Sequence, residues 1–502
     1  MTIIVKGLND QRYERTLQLI ANLFYEDTKL TISDEVEEDA LVVSIKTDIE
    51  GNKITAYAEL EDPVLTAKRS AQYIEKETEK ESFKQNKNAV SHVFLSILQE
   101  YTGITQKWGV LTGIRPTKLM HKQKMLGTSV IDTRTHLKQQ YLITDEKIDL
   151  MEQIVGRQLK MIPDLYELQD EVSIYIGIPF CPTKCAYCTF PAFAIQGKLG
   201  KVSAFLAGLH YEIQETGRWL KERGVKITTI YFGGGTPTAI TAEEMDALYD
   251  EMYRSFPDVK TVREVTVEAG RPDTISPDKL DVLNKWEIDR ISINPQSYTD
   301  ETLKAIGRHH TVQETIDKFH LSREHGMNNI NMDLIIGLPN EGVSELQHSL
   351  NETEKLMPES VTVHTLSFKR ASEMTLNRDK YKVADRNEVE KMMNLAQEWT
   401  NDQGYVPYYL YRQKNILGNL ENVGYAMPGE ESLYNIIIME EVQTIVGLGC
   451  GAASKFIDHA TGKITHFSNP KDPKSYNDGF MDYTKKKIDY LEALFPKKAQ
   501  KS

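Results

Sequence analysis

The chain has 502 residues, a formal net charge of −13 and four cysteines. Its acidic balance argues against a nucleic-acid partner, since proteins that bind nucleic acids present a basic face. No apolar run of about 18 residues occurs, which argues against a membrane-spanning helix, and the first residues lack the pattern of a signal peptide. We therefore predict a cytoplasmic protein of two or three domains with no nucleic-acid or membrane partner.

Residues 1–168 are predicted to form a separate N-terminal α+β domain. The segment ALVVSIKTDIEGNKITAYAEL alternates apolar and polar residues around Glu50-Gly51-Asn52, which is typical of a β-hairpin. Apolar residues then recur at helical spacing in NAVSHVFLSILQEY and in THLKQQYLITDEKIDLMEQIVGRQLKM, which predicts helices there. The role of the intervening WGVLTGIRPTKLM does not follow from its residues alone.

Residues 169–405 consist of short β-branched runs that alternate with helical segments. The runs are VSIYIGI, ITTIYFG, VREVTVE, DRISINP, INMDLIIG and SVTVHTL. Repeated β-then-α units predict a parallel sheet with right-handed crossovers. Six strands are fewer than a closed barrel needs, so we expect an α/β fold with a partial (β/α)6 TIM-like barrel. Its chemistry should lie at the C-terminal ends of the strands.

Two helix starts are marked in this region. Thr241 and Glu244 match a capping box, and Ser276 before Pro277 predicts an N-cap followed by proline in the first turn. The pattern loosens in residues 406–502, which we expect to pack on the barrel as a C-terminal extension.

Three of the four cysteines, Cys181, Cys185 and Cys188, lie in one loop after the first barrel strand. Three thiolates on a tight loop can hold three corners of a cubane iron–sulfur cluster and leave the fourth iron open to another ligand. One alternative is a structural zinc site, which needs a fourth ligand such as His210 or Cys450. Another is three inert buried cysteines. Cys450 itself is interpreted as a small buried apolar residue.

The spacing Cys-x3-Cys-x2-Cys after a first barrel strand resembles that of the radical S-adenosylmethionine superfamily. The wider string YIGIPFCPTKCAYC resembles the oxygen-independent coproporphyrinogen III oxidases, and glycine-rich, acidic and aspartate motifs follow in that family's order over residues 170–455. TGIRPTKL in the N-terminal domain is similar to the HemZ branch. The resemblance implies a [4Fe–4S] cluster on Cys181, Cys185 and Cys188 whose open iron binds S-adenosylmethionine. It departs at Gly177, where relatives often carry histidine.

Glycine and polar residues at the strand ends are candidate cofactor contacts. Glycines 233–235 let the backbone approach a ligand, although any strand-to-helix turn can use glycine. Glu268 can accept hydrogen bonds from ribose hydroxyls or an ammonium group, unless it is a surface carboxylate. Asp333 is costly in an apolar strand unless it is partnered, whereas Arg308 could equally be a solvated helix residue.

The resemblance extends these candidates to two sets of positions. The catalytic set that it implies is Tyr175, Cys181, Cys185 and Cys188. The contacts to S-adenosylmethionine that it implies are Tyr175, Tyr187, Gly234, Gly235, Thr236, Glu268, Gln296, Arg308, Asp333, Ser367 and Ala453.

The reaction that the resemblance implies starts with one electron passed from a reduced cluster to the sulfonium. The 5′-deoxyadenosyl radical then takes a hydrogen atom from a propionate, and loss of carbon dioxide and one electron leaves a vinyl group. Two rounds convert coproporphyrinogen III to protoporphyrinogen IX, with a small electron donor of flavodoxin or ferredoxin type. A tetrapyrrole with four carboxylates needs cationic contacts. The candidates are Arg271, Lys369 and Arg370, and also His309 and His310, for which a surface position is favoured.

The main rival is a haem-binding chaperone of the same superfamily without oxidase activity. Those chaperones resemble one another in a His-Asn-Arg-Tyr stretch, and the comparable segment here begins with Glu421, which removes the usual haem ligand. A radical enzyme acting on nucleic acid is disfavoured by the net charge, and a zinc-stabilised interaction protein by the cysteine spacing. An oxidase is the favoured interpretation.

Overall fold

The computed structural model describes residues 1–25, 28–61, 63–72, 79–113, 115–190, 192–195, 202–367, 372–377, 380–413, 416 and 419–496. The chain separates into two compact units, Met1–Gln153 and Ile154–Ser502. Each unit has buried apolar clusters of its own. The division falls inside one helix, Asp145–Met161, and the domain boundaries predicted at residues 168 and 405 stay predictions.

The first unit is a five-stranded sheet with helices, in agreement with the predicted α+β domain. Its elements are β1 (Thr2–Lys6), α1 (Glu14–Ala21), β2 (Lys29–Ile32), β3 (Leu41–Glu50), β4 (Lys53–Leu60), β5 (Leu65–Gln72), α2 (Glu79–Thr102), α3 (Thr117–Met125), α4 (Val130–Tyr141) and α5 (Asp145–Met161). The strand order is β2-β1-β3-β4-β5. The predicted hairpin is confirmed, since β3 and β4 pair in antiparallel fashion with Glu50 opposite Lys53.

The second unit alternates strands and helices. Its elements are β6 (Glu171–Ile178), β7 (Phe180–Cys181), β8 (Phe193–Ala194), α6 (Val202–Arg223), β9 (Lys226–Gly234), α7 (Ala242–Ser255), β10 (Glu264–Glu268), α8 (Pro277–Lys285), β11 (Arg290–Ser292), α9 (Asp300–Ala305), α10 (Val312–Glu324), β12 (Ile330–Ile336), α11 (Val343–Leu356), β13 (Ser360–Thr365), α12 (Glu373–Leu376), α13 (Arg386–Asp402), β14 (Val406–Tyr411), β15 (Asn422–Ala426), α14 (Leu433–Glu440), β16 (Thr444–Gly449), β17 (Ala453–Asp458), β18 (Lys463–Ser468) and α15 (Pro473–Leu494).

The large sheet of this unit has the strand order β14-β15-β13-β12-β11-β10-β9-β6-β16-β17-β18. Strands β6 and β9–β13 run parallel, so the six predicted strands and the α/β partial barrel are confirmed. The C-terminal region does more than pack on the barrel, because it extends the sheet at both edges. Strand β15 pairs with β13 in antiparallel fashion, and β16 pairs with β6 in parallel.

The two predicted helix starts have different outcomes. Thr241 and Glu244 form the capping box of α7, with the Thr241 N–H donating to Glu244 Oε2 over 2.9 Å. Ser276 stands at the N-cap of α8 with Pro277 in the first turn, but its side chain makes no capping hydrogen bond. The Ser276 hydroxyl instead donates to the Asp278 carboxylate. The predicted N-cap position is therefore confirmed, but the capping hydrogen bond expected from Ser276 is absent.

A buried carboxylate holds the C-terminal elements against the sheet. Glu212 of α6 is fully buried and receives the Lys487 ammonium of α15 at 2.7 Å. It also accepts the Tyr476 hydroxyl at 2.7 Å and the Gly449 N–H at 2.6 Å. The close approach of β16 to β6 requires glycine, because a Cβ on Gly449 would lie 2.3 Å from the Gly177 oxygen.

Helices in the described ranges are all too short or too polar to cross a lipid bilayer.

Candidate active site

The three clustered cysteines follow β6, at the C-terminal end of a central parallel strand. Cys181 is buried in the short strand β7, whereas Cys185 and Cys188 are half-buried. Burial raises the pKa of Cys181 to about 11, and the neighbouring Cys185 and Cys188 act in the same direction. None of the four cysteines forms a disulfide in the described part of the chain.

The cysteine loop is braced by segments that follow two other strands, β11 and β13. The Ala186 N–H donates to the Ile306 oxygen over 2.9 Å, and the Thr183 hydroxyl donates to the Gly307 oxygen over 3.0 Å. The Met374 N–H donates to the Ala186 oxygen over 3.1 Å. The backbone of this loop is therefore held by hydrogen bonds to neighbouring segments as well as by the hydrogen bond of its own turn.

Arg271 completes this brace, and each of its three side-chain nitrogens has a hydrogen-bond partner. Its Nε and Nη2 donate to the Asp273 carboxylate over 2.9 and 2.8 Å, and its Nη1 donates to Thr183 Oγ1 and to the Thr183 backbone oxygen. The structure thus shows Arg271 in contact with the cysteine loop, and the predicted contact with a substrate carboxylate stays a prediction. The other two basic candidates, Lys369 and Arg370, lie outside the described residues.

The glycine-rich loop after β9 lies directly against the cysteine strand. The Gly235 N–H donates to the Ile178 oxygen and the Thr236 N–H to the Phe180 oxygen, each over 2.7 Å. Gly234 has a φ of +104°, and a Cβ on Gly235 would lie 2.6 Å from the Phe180 oxygen. Only glycine fits at these two positions. Thr236 Oγ1 then reaches Cys181 Sγ at 3.3 Å.

Glu268 ends β10 inside the barrel rather than on the surface. Its Oε1 accepts the Tyr231 hydroxyl over 2.6 Å, and a Cβ on Gly233 would lie 3.0 Å from its Oε2 and 3.1 Å from the Tyr175 hydroxyl. Burial raises the pKa of Glu268 to about 7; the Tyr231 hydrogen bond opposes this shift and Asp333 adds to it.

A stack of three tyrosines adjoins Glu268. The Tyr231 and Tyr434 rings lie 4.4 Å apart, and Tyr175 lies 6.2 Å from Tyr231 and 6.4 Å from Tyr434. Sequence reasoning missed Tyr231, although it shares a strand face with Gly233 two residues later. It also missed Tyr434, which arrives from α14 and carries no sequence signal for the barrel interior.

Gln296, which follows β11, meets Asp333 in the middle of β12. The Gln296 N–H donates to the Asp333 oxygen over 2.9 Å, and Gln296 holds a left-handed φ of +67°. Its side-chain Oε1 is buried without a hydrogen-bond partner. An orphaned buried acceptor is costly, so this amide suits a ligand that brings a donor.

Arg308 is buried beside the cysteine loop, which excludes the solvated-helix alternative. Its Nη1 donates to the Asn294 oxygen over 2.6 Å. Burial acts to lower the pKa of Arg308, but Tyr187 and Cys185 outweigh it and raise that pKa above its usual value. Burial also raises the pKa of Tyr187.

The two neighbouring histidines separate in the fold. His309 is exposed, as expected, whereas His310 is buried with both ring nitrogens unpartnered. Burial lowers the pKa of His310 to about 3, and the positive charges of Arg308 and Arg271 add to the effect. The surface position favoured for His310 was therefore wrong, because its side chain is buried near Arg308 and Arg271.

The last two predicted contacts, Ser367 and Ala453, lie just after β13 and at the start of β17. Ser367 is buried and forms an antiparallel bridge with Ile416. Ala453 begins β17 next to Gly447. A Cβ placed on Gly447 would lie 2.9 Å from the Ala453 carbonyl carbon. Gly447 is the register partner of Tyr175, so Ala453 adjoins the first barrel strand.

The residues present fit the predicted cofactors. Within the described ranges, no group of three thiol, imidazole or carboxylate side chains could hold a single metal ion. This finding does not bear on a cubane cluster, because there each thiolate binds a different iron. Two carboxylates, Glu268 and Asp333, face the interior among tyrosines. Asp333, and Glu268 in its ionised form, suit a ligand that carries a positive charge, such as a sulfonium with an ammonium group.

Comparison with known proteins gives three findings. The radical SAM superfamily model matches residues 175–353. The oxygen-independent coproporphyrinogen-III oxidase-like protein HemZ of Bacillus subtilis is 67% identical over 497 residues, which cover 99% of each chain. Heme chaperone HemW of the same organism is 36% identical over 194 residues, which cover 39% of this chain and 50% of that protein.

Among solved structures, coproporphyrinogen III oxidase HemN from Escherichia coli matches with a TM-score of 0.51. It is 20% identical, and the match covers 66% of this chain and 73% of that chain. At this identity the likeness concerns the fold.

Proposed function

The chain belongs to the HemZ family within the radical SAM superfamily, and from this premise we propose that it is an oxygen-independent coproporphyrinogen III oxidase. In this proposal two propionate side chains of coproporphyrinogen III become vinyl groups and the product is protoporphyrinogen IX. Each conversion removes one hydrogen atom, one molecule of carbon dioxide and one electron from the substrate.

Enzymes of this superfamily use a [4Fe–4S] cluster and S-adenosylmethionine. When bound, this pair supplies one-electron cleavage of a carbon–sulfur bond and abstraction of a hydrogen atom from the substrate. In the proposal Cys181, Cys185 and Cys188 hold the cluster. The proposal is carried by the contact between the glycine-rich loop and the cysteine loop. Thr236 touches Cys181, and the Gly235 N–H donates to Ile178 at the end of β6, the strand before the cysteine loop.

The surrounding side chains position the cofactor and exclude water in this proposal. Glu268 and Asp333 accept hydrogen bonds, and the orphaned oxygen of Gln296 gains the donor it lacks. Tyr175 and Tyr187 cover the site with buried rings. Arg308 places its positive charge beside Cys185, where it offsets the negative charge of a thiolate-ligated cluster.

The same proposal includes a small electron donor of flavodoxin or ferredoxin type and a cytoplasmic location. A one-electron reductant is required because each cleavage consumes one electron. A reducing compartment keeps clustered thiols available for iron, whereas an oxidising one favours disulfides.

The decisive experiment incubates the anaerobically reconstituted protein with S-adenosylmethionine, a chemical reductant and coproporphyrinogen III. We expect protoporphyrinogen IX by chromatography after oxidation to the porphyrin. Formation of 5′-deoxyadenosine without any vinyl product would show that the substrate is a different one. Haem binding without oxidation of coproporphyrinogen would favour a chaperone, as in the HemW relatives.

A pair of cysteine variants checks the cluster assignment. Cys185→Ala should lose bound iron and cleavage of S-adenosylmethionine, because one corner of the cluster loses its ligand. Cys450→Ala is the matched control. Its thiol is buried outside the loop, where it donates to the Pro470 oxygen, so iron content and cleavage should stay at the wild-type level. Equal iron content in the two variants would contradict the assignment.

A further inference from the structure

Asp333 is held from two sides by neighbouring side chains. Its Oδ1 accepts the Asn331 Nδ2–H over 2.8 Å, and its Oδ2 lies 3.4 Å from His364 Nε2. Burial acts to raise the pKa of Asp333, but His364, Asn331 and Thr362 together outweigh it and hold that pKa below its usual value. The side chain keeps 20% of its surface exposed, so the carboxylate has an open face left for a ligand.

His364 reaches Asp333 across two neighbouring parallel strands. Asp333 of β12 is the register partner of Thr362 of β13, and His364 follows two residues later on the same strand face. The other ring nitrogen, Nδ1, lies 3.1 Å from the Tyr411 hydroxyl of β14. The two nitrogens of one imidazole are thus engaged by two different partners.

This arrangement is compatible with a proton on His364 Nε2, the nitrogen that faces Asp333. A neutral histidine has one donor and one acceptor nitrogen, and the partner of one nitrogen decides the role of the other. The Tyr411 hydroxyl has a proton to give, because burial raises the pKa of Tyr411 and keeps the phenol neutral. When that hydroxyl donates to Nδ1, the proton of His364 resides on Nε2 and points at Asp333.

We propose that Tyr411 and His364 form a positioning relay that orients the Asp333 carboxylate toward the bound S-adenosylmethionine. The inference rests on the proposed cofactor site. His364 and Tyr411 are positioning residues, since each acts on the cofactor through Asp333. Neither belongs to the motifs by which the sequence resembles its family, and Tyr411 comes from outside the six parallel strands.

The relay places one donor on each carboxylate oxygen. An ionised carboxylate accepts about four hydrogen bonds, so Oδ1 and Oδ2 each keep capacity for a cofactor hydroxyl after Asn331 and His364 have bound. Without His364, Oδ2 would lose its donor and the carboxylate would more readily take up a proton, since burial opposes its charge. Both changes weaken a hydrogen bond that the cofactor donates.

The test compares two substitutions at one position. His364→Phe keeps a flat ring and removes the donor, whereas His364→Gln offers an amide N–H to Asp333. We expect His364→Phe to weaken S-adenosylmethionine binding by about 10-fold to 100-fold, the usual effect of losing an orienting partner. His364→Gln should stay within about threefold of wild type because it restores a donor. Equilibrium dialysis of the anaerobic, cluster-loaded protein measures the dissociation constant.

The pH dependence of S-adenosylmethionine binding is a second measurement, which a purely structural role of His364 would leave unchanged. Loss of His364 raises the pKa of Asp333, so the ratio of the variant's dissociation constant to that of wild type should grow as pH falls from about 8 to about 6. Other titratable groups also face Asp333: Tyr231 of β9, Glu268 of β10, and Tyr409 and Tyr411 of β14. They are present in both proteins, so the ratio compares two proteins that differ only at residue 364.

His348→Phe is the control, because His348 lies exposed on α11 and should bind S-adenosylmethionine as wild type does. Iron content and melting temperature verify that each variant is loaded and folded. Wild-type affinity in His364→Phe would overturn the relay, and so would equal weakening in His364→Phe and His364→Gln. Failure of the wild-type protein to bind S-adenosylmethionine would overturn the proposed cofactor site and the relay together.

Discussion

At the scale of single residues, the carboxylate of Glu268 shows how burial sets the chemistry of this site. It accepts the Tyr231 hydroxyl, and burial among tyrosines raises its pKa to about 7. An unfolded glutamate has a pKa of about 4.3. The folded protein therefore binds a proton that the unfolded chain releases, and the stability from this site is lost as pH rises through about 7.

We expect Glu268→Gln to remove this pH dependence. The melting temperature of wild type should fall more between about pH 6 and about pH 8 than that of the variant, because only wild type must ionise a buried carboxyl group. Glu222→Gln on the exposed face of α6 serves as the control and should follow wild type. Parallel curves for wild type and Glu268→Gln would contradict the assignment of this titration to Glu268.

Gly177 is a second residue whose identity the packing decides. A Cβ at this position would lie 3.1 Å from the Cys450 oxygen and 3.4 Å from the Ala452 Cβ. The space into which a side chain at residue 177 would extend is filled by the turn between β16 and β17. A histidine at this position therefore requires the turn between β16 and β17 to shift.

Gly177→His should destabilise the protein by about 1–3 kcal/mol through overpacking. Chemical denaturation measures the loss, and the matched substitution is Gly224→His, since nothing lies within 4 Å of a Cβ placed on Gly224. Because Gly224 has a φ of +65°, its own cost is confined to backbone strain of about 1 kcal/mol. A Gly177→His protein as stable as wild type would contradict this expectation, because it would show that the turn between β16 and β17 can move at no cost in stability.

At the scale of elements, the cysteine loop depends on a partner from another strand end. Arg271 bonds both the Asp273 carboxylate and Thr183 within the loop, and it is only 3% exposed. Arg263 makes a similar two-point contact with Asp164, but 35% of its side chain is exposed. The two arginines therefore form a natural comparison between a buried and an exposed pair.

Arg271→Ala should cost about 1.5–3 kcal/mol, as expected for lost hydrogen bonds to a charged group, and should lower the iron retained after gel filtration. Arg263→Ala should cost about 0–1 kcal/mol, because exposed ion pairs contribute little, and should retain iron fully. Denaturant titration and iron assay check both values. Normal iron retention in Arg271→Ala would show that the loop keeps its conformation without this brace.

At the scale of the second unit as a whole, Glu212 and Lys487 join α6 to α15 and to the end of β16. Both side chains are fully buried, and the carboxylate also binds Tyr476 and the Gly449 N–H. A buried ion left without its partner is costly. The C-terminal helix is therefore part of the fold that supports the first barrel strand.

Glu212→Gln should destabilise the protein by about 3–5 kcal/mol, since it leaves the Lys487 ammonium buried without a counter-charge. The same two helices carry a control, because Arg223 of α6 pairs with Glu492 of α15 at 2.7 Å and Glu492 is 48% exposed. Glu492→Gln should change stability by less than about 1 kcal/mol. Equal effects of the two substitutions, followed by denaturant unfolding, would refute the structural role of Glu212.

The features that depend on local spacing could be predicted from the amino-acid sequence. Cysteine spacing identified the loop, β-branched runs gave the six parallel strands, and Thr241 with Glu244 gave the start of α7, because each pattern lies within a few residues. The roles assigned to Glu268 and Asp333 stay predictions, although the structure places both in the barrel interior.

Which side chains lie next to one another became known from the folded chain alone. Arg271 binds the cysteine loop, His310 is buried while His309 is exposed, and β16 lies beside β6. His364 meets Tyr411, which is 47 residues away. The physical reason is that hydrogen-bond partners and burial are set by strand order and register. Strand order and register bring together residues that are far apart in the chain, and no short sequence pattern predicts such pairs.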